Sequence, residues 1–145
     1  MHGQLTVGAV CCLANIAIHA AIMAWVVIAA RRASHATARL GAMRHHIAVM
    51  SAAVLVLLIA HAIKVAVWAL VYRLVDLVPL GDGFYFAFVN YTTLGYGDIL
   101  PNPEWRMLGP ITAMNGVLLF GWSTAVIFEV LRTSAGALRN LPTHS

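Results

Sequence analysis

Charged residues are scarce in this sequence, and their scarcity excludes most classes of soluble protein. Only 10% of the 145 residues are Asp, Glu, Lys or Arg, whereas 61% are hydrophobic. A soluble domain carries about 25% charged residues. The composition therefore predicts an integral membrane protein.

Other kinds of chemistry also find little support. The only cysteines, Cys11 and Cys12, are adjacent in an apolar segment, where they are expected to be small buried side chains. No nucleophile–base pair or carboxylate pair suggests an active site, so neither an enzyme nor a cofactor is predicted. The nine Lys and Arg residues are few and scattered, which argues against a nucleic-acid partner.

Three long apolar runs are present, at about 5–30, 47–72 and 107–132. Each is long enough to cross ~30 Å of hydrocarbon at about 1.5 Å per residue. No basic residue precedes the first run, and it is too long for the apolar region of a signal peptide, so we expect a retained helix. The runs predict an all-α membrane protein with three transmembrane helices.

The charges are sorted along the chain. Basic residues mark the connector at 31–46 and the segment after the third run: Arg31, Arg32, Arg39, Arg44, Arg132 and Arg139. Acidic residues mark the other side: Asp76, Asp82, Asp98 and Glu104. The positive-inside rule predicts an N-terminus outside and a C-terminus in the cytoplasm, in what we expect to be a bacterial inner membrane. A lipid-binding or calmodulin-binding basic helix is an alternative role for the connector.

A short apolar run at 83–92 follows Asp82, a candidate helix N-cap. The run is too short to cross a membrane and predicts a re-entrant helix, which is permitted at membrane depth only when protein buries it. Directly after it comes the motif Thr-Thr-Leu-Gly-Tyr-Gly-Asp at 92–98. Gly95 and Gly97 can adopt left-handed φ without a Cβ penalty, which would let successive carbonyls face one side. A tight Thr/Gly hairpin turn is the plain alternative.

This motif resembles the selectivity filter of tetrameric potassium channels, Thr-Val-Gly-Tyr-Gly, with Leu94 in place of the valine. The resemblance extends from about 47 to about 132. It implies a filter at 93–97, with K⁺ bound by Thr93, Leu94, Gly95 and Tyr96 and with Gly97 at its outer end. Thr92 and Asp98 would support the filter and its outer mouth, and Tyr96 would brace the loop.

The resemblance also implies an architecture. Each subunit of a homotetramer in membrane lipid would supply a pore domain at 47–132, with an outer helix (47–72), a pore helix (83–92), the filter and an inner helix (107–132). Residues 1–46 would add a peripheral helix and the connector, and 133–145 a short cytoplasmic tail. The expected function is passive, selective conduction of K⁺. A weakly selective cation channel and a non-conducting assembly subunit are the alternatives.

Two stripes of the third run compete to line the pore, each with spacings of three and four. One stripe contains Asn115, Leu119, Trp122, Val126 and Glu129. The other contains Val117, Phe120 or Gly121, Thr124 and Phe128. We predict the second, because the first would put four rigid indoles into the ion path. Gly116 and Gly121 are candidates either for bending this helix or for close packing.

Four polar residues lie inside the first two runs, where they are costly unless they face protein or water: Asn15, His19, His61 and Lys64. Counting along the helices from their cytoplasmic ends puts Asn15 and His61 at nearly the same depth, with His19 a turn further in and Lys64 a turn further out. We therefore expect the first helix to pack on the second with hydrogen bonds between these groups. Snorkelling of Lys64 and a haem held by His19 and His61 are alternatives. The sequence does not assign a role to these residues.

Overall fold

The computed structural model describes residues 2–35 and 41–139. These residues form four helices and no strand: α1 (His2–His35), α2 (Ala42–Leu74), α3 (Gly83–Tyr91) and α4 (Leu108–Arg139). Helices α1, α2 and α4 contain the segments His2–Ala33, Met43–Leu74 and Leu108–Ala135, which are long and apolar enough to cross a membrane. The predicted all-α membrane fold with three spans is confirmed.

The long helices extend beyond the apolar runs. Helix α1 continues through Arg31 to His35, and α4 continues to Arg139. Hydropathy marks only the part of a helix that lies in hydrocarbon, whereas Arg and Ala are good helix formers on either side of that boundary. Within the predicted connector, residues 36–40 lie outside the described residues, as do residues 140–145 of the predicted tail.

Helices α1 and α4 pack side by side and run in the same direction. At one end Met107 N–H donates to Gln4 Oε1 at 3.1 Å, and at the other Arg31 Nη2 lies 3.3 Å from Glu129 Oε1. Gly8 permits this approach, because a Cβ there would meet the Ile111 side chain at 2.8 Å. Parallel packing is what two spans separated by one return span require.

Helix α2 runs antiparallel to these two helices and packs against both of them, and its buried aromatic residues fill one end of the bundle. Trp68 and Tyr72 are fully buried and pack in one cluster with Cys11, Phe86 and other apolar side chains. A second cluster at the opposite end contains Met23, Val26, Leu57, Val126 and Val130. Cys11 is a free, buried thiol, as expected of a small core side chain.

Helix α3 has nine residues, too few to span a membrane, and it is wedged between α2 and α4. Asp82 occupies the predicted N-cap position, but its side chain makes no capping hydrogen bond. Its backbone oxygen instead accepts from Phe86 N–H at 2.8 Å, which starts the helix without help from the carboxylate. The α3 helix therefore enters the bundle from the same end as the acidic residues and stops inside it.

Candidate functional site

The end of α3 sets the start of the motif loop. Thr93 N–H donates to Asn90 O and Leu94 N–H donates to Val89 O, both at 2.9 Å. These two bonds form a Schellman motif, in which the residue after the C-cap adopts a left-handed conformation. That residue is Thr93, with φ of 61°. The last helical carbonyls are thereby satisfied, and the chain leaves α3 in one defined direction.

The backbone φ angles of the loop alternate in sign from residue to residue. Thr93, Gly95 and Gly97 have φ of 61°, 59° and 73°, whereas Leu94 and Tyr96 are not among the described residues with positive φ. In an ordinary strand, successive carbonyls point to opposite sides. When residues with negative φ alternate with residues with positive φ, neighbouring carbonyls can instead face the same side. Glycine makes the left-handed conformation cheap at two of the three positions.

The carbonyls of this loop have no backbone hydrogen-bond partner among the described residues. Residues 93–98 are all exposed, and no carbonyl of theirs accepts a backbone hydrogen bond from the described residues. In hydrocarbon, each unsatisfied group would cost several kcal/mol. The loop therefore needs partner chains, water or ions on its open side.

Side chains hold the two ends of the loop. Tyr85 Oη, at the start of α3, donates to Asp98 Oδ2 at 2.7 Å, and this carboxylate raises the pKa of the Tyr85 hydroxyl. Thr92 Oγ1 donates to Phe88 O at 2.8 Å, and Thr93 Oγ1 donates to Thr92 O at 2.6 Å. Tyr96 is 68% exposed and its hydroxyl has no hydrogen-bond partner among the described residues, so its predicted bracing role is not seen within one chain.

Helix α4 presents two different faces. Most of the first stripe packs inward, because Asn115, Leu119 and Val126 are buried and Glu129 pairs with both Arg31 and Arg132. Trp122 is the exception: it is 41% exposed and packs edge-to-face with His19, with ring centroids 5.4 Å apart. The predicted pore-lining residues are all exposed on the single chain: Val117, Phe120, Thr124 and Phe128. Phe120 is 37% exposed, because its ring contacts His61 and Tyr91.

The two glycines of α4 differ in their surroundings. A Cβ on Gly116 would overlap the Tyr91 carbonyl oxygen, so this glycine allows the end of α3 to touch the α4 backbone. A Cβ on Gly121 would meet nothing within 4 Å. Of the two roles considered for Gly116, close packing is therefore the one its surroundings explain.

The polar residues of the bundle interior do meet, but mostly through α4. Asn15 Nδ2 donates to Asn115 Oδ1 at 3.4 Å, and Trp68 Nε1 donates to the same oxygen at 3.2 Å. His61 lies 2.9 Å from both Tyr91 Oη and Ser123 Oγ. The first helix does pack on the second, as expected. The expectation of hydrogen bonds directly between these two helices was wrong for the described residues, because Asn115 and Ser123 of α4 supply the partners instead.

Lys64 does not snorkel. It is completely buried, and its Nζ donates back toward Ala60 O at 2.8 Å. The His19 and His61 rings are only 5.6 Å apart and tilted by 44°, which leaves no space for a porphyrin between them. The haem alternative therefore does not fit these residues.

Sequence reasoning missed Tyr85, Tyr91, Asn115 and Ser123 as supports of the loop and the bundle. Asn115 and Ser123 did carry a signal, because they are polar residues two helical turns apart in an apolar run. The two tyrosines are joined to distant residues by packing and have no local pattern that reveals their partners.

A comparison with protein-family models matches residues 50–133 to the family described as "Ion channel". The matched segment contains most of α2, all of α3, the motif loop and most of α4, which is more than half of the chain. Comparisons with curated proteins and with solved structures gave no match. The chain therefore belongs to this ion channel family and is an integral membrane protein, with α1 lying outside the matched region.

Proposed function

We propose that the protein is a potassium-selective channel, in which four identical subunits surround a filter formed by residues 93–97. The observation that carries the proposal is the alternation of φ at Thr93, Gly95 and Gly97 together with the unpaired, exposed carbonyls of this loop. Rings of backbone carbonyls replace the hydration shell of K⁺ in such filters. Thr93 to Tyr96 would bind the ions, and the Thr93 hydroxyl would add the innermost oxygens.

A ring of identical subunits would supply the surroundings that the loop carbonyls lack in a single chain. Closed cyclic symmetry lets the same loop face the axis in every subunit, and water and K⁺ along that axis would satisfy the carbonyls. The exposed stripe of α4 would face the same axis below the filter, with Thr124 nearer the filter and Phe128 nearer the cytoplasm. Buried packing of Asn115, Leu119 and Val126 against α1 and α2 supports this orientation.

The charge distribution supports cation entry from one side. Asp98 lies directly after the filter, anchored by Tyr85, and the other acidic residues of the 76–104 segment lie at the same end. An acidic mouth raises the local concentration of cations. With the basic ends of α1 and α4 in the cytoplasm, this mouth would face outward across the bacterial inner membrane.

Leu94 is the observation that favours the second candidate, a weakly selective cation channel. Its side chain is 52% exposed on the single chain, so its packing depends on the neighbouring subunit. The additional methylene compared with valine has to be accommodated behind the loop. Because the carbonyl count is unchanged, potassium selectivity remains the function the geometry supports best.

The test is K⁺ flux into liposomes that contain the purified protein, with Gly95→Ala and Gly41→Ala as a matched pair. Alanine at 95 has to adopt φ near 59° in every subunit, at about 1–2 kcal/mol each. Alanine at 41 meets nothing within 4 Å and has an ordinary φ of −50°. We expect Gly95→Ala to abolish flux and Gly41→Ala to preserve it, with both assembled as tetramers by native mass spectrometry. Undiminished flux in Gly95→Ala would refute the filter assignment.

A further inference from the structure

One imidazole joins three helices at the base of the filter loop. His61 of α2 places Nδ1 2.9 Å from Oη of Tyr91, the last residue of α3, and Nε2 2.9 Å from Oγ of Ser123 in α4. Its ring also packs on Phe120, with centroids 4.6 Å apart. Tyr91 is fully buried and lies two residues before Thr93. The end of the helix that carries the loop is thus tied to α4 through His61.

The protons of this bridge can be assigned from its partners. Ser123 Oγ donates to Leu119 O at 2.9 Å, so it is an acceptor toward the ring. His61 Nε2–H then donates to Ser123, and Nδ1 accepts the Tyr91 hydroxyl proton. Every group is satisfied once, and the ring is neutral. In the opposite tautomer, the Tyr91 hydroxyl proton would have no acceptor among the described residues, which is costly for a buried group.

Basic groups face this bridge from two other positions. His19 of α1 places Nε2 3.4 Å from Ser123 Oγ, and its buried Nδ1 has no partner among the described residues. Lys64 of α2 is fully buried and lies one helical turn from His61. Helix α3 contributes only the Tyr91 hydroxyl. The one acidic residue of α4, Glu129, is paired with Arg31 and Arg132 at the far end of the bundle.

We propose that His61 is a positioning residue that holds the pore helix against α4 only while its ring is neutral, so that acid reduces conduction. A second ring proton would turn Nδ1 into a donor facing the Tyr91 hydroxyl and would leave that hydroxyl proton without an acceptor. It would also place another positive charge beside Lys64, where the surrounding described residues supply no carboxylate. The bridge would break, releasing the end of α3 directly before the filter.

This inference rests on the proposed function, and its test compares K⁺ flux at about pH 8 and about pH 4, an interval that begins above ordinary imidazole titration and extends well below it. Equal pH is kept on both faces of the liposomes. We expect flux of the unmodified protein to fall roughly tenfold in acid, because loss of one buried hydrogen bond shifts an equilibrium by about that factor. His2→Gln, a change in the first turn of α1 far from the bridge, is the control and should keep the full acid response.

Two variants should remove the acid response in opposite ways. His61→Gln offers one acceptor and one donor but does not titrate, so flux should stay high at both pH values. Tyr91→Phe lacks the hydroxyl, so flux should be low at both. Acid inhibition that persists unchanged in His61→Gln would overturn the proposal. Loss of acid inhibition in His19→Gln but not in His61→Gln would also overturn it and would identify His19 of α1 as the titrating residue.

A spectroscopic measurement separates this inference from the channel assignment. Nitrogen-15 NMR of labelled histidine should show His61 as the Nε2–H tautomer at about pH 8, with the Nδ1 signal changing in Tyr91→Phe. That result would support the bridge even if the unmodified protein passed no K⁺, which would refute only the proposed function. A His61 ring protonated on Nδ1 at that pH would overturn the bridge whatever the flux.

Discussion

Replacing Gly116 by alanine should disturb the filter loop without disturbing the helix in which it lies. The new Cβ would overlap the Tyr91 carbonyl oxygen, and Cβ contacts essentially never fall below 3.0 Å, so α4 and the end of α3 would have to separate by about 1 Å. The obstacle is backbone, which cannot rotate away as a flexible side chain can. Because Tyr91 is two residues from Thr93, the displacement is passed directly to the loop.

The size of the effect follows from two opposing contributions. Alanine favours an α-helix over glycine by about 1 kcal/mol, whereas overpacking in a close-packed interior costs typically 1–3 kcal/mol and occasionally more. Since backbone cannot adapt here, we expect a net loss of about 1–2 kcal/mol per subunit. The matched control is Gly121→Ala, five residues later in the same helix, where a Cβ meets nothing within 4 Å. This control should be neutral or slightly stabilising.

The assay combines thermal unfolding of the purified protein, followed by circular dichroism, with K⁺ flux into liposomes. Gly116→Ala should insert and remain helical but unfold at a lower temperature and conduct poorly. Gly121→Ala should unfold at or above the temperature of the unmodified protein. Equal stability and flux for Gly116→Ala and the unmodified protein would refute the close contact between α3 and α4.

Three further predictions concern other contacts. Asn115→Leu should lower the unfolding free energy by about 1–3 kcal/mol, as measured by denaturation in detergent, because the buried Trp68 indole N–H loses its acceptor. Tyr85→Phe should lower the ratio of K⁺ to Na⁺ flux while leaving helix content unchanged, because Asp98 loses its anchor beside the filter. Single cysteines at 124 and 128, in a background without Cys11 and Cys12, should permit block by a cytoplasmic thiol reagent, whereas block at 122 alone would show that the other face lines the pore.

The three spans and their order could be predicted from the sequence because hydropathy reports directly on burial in hydrocarbon. The ends of α1 and α4 could not, because residues such as Arg31 and Arg139 continue a helix in water as readily as they end an apolar run. Likewise Asp82 occupies the predicted N-cap position, but the sequence could not show that its carboxylate makes no capping hydrogen bond in the folded protein.

The loop could be predicted in part. The glycines at 95 and 97 predict left-handed φ at these positions. The residue type at Thr93 does not, because its left-handed conformation is imposed by the Schellman motif at the end of α3. Counting residues placed His61 level with Asn15 and His19 a turn further in, whereas the His19 and His61 rings are the neighbours. Depth also does not specify which helix faces which. The roles of Ser123 and Asn115, both on α4, could therefore be identified only from the packing of the helices in the structure.

The most direct test of the central claim is the reversal potential of the reconstituted channel with K⁺ on one face and Na⁺ on the other. A carbonyl filter built from residues 93–97 predicts a large shift toward the K⁺ equilibrium potential, corresponding to a strong preference for K⁺. A reversal potential near zero, with measurable current, would contradict potassium selectivity and favour the weakly selective channel.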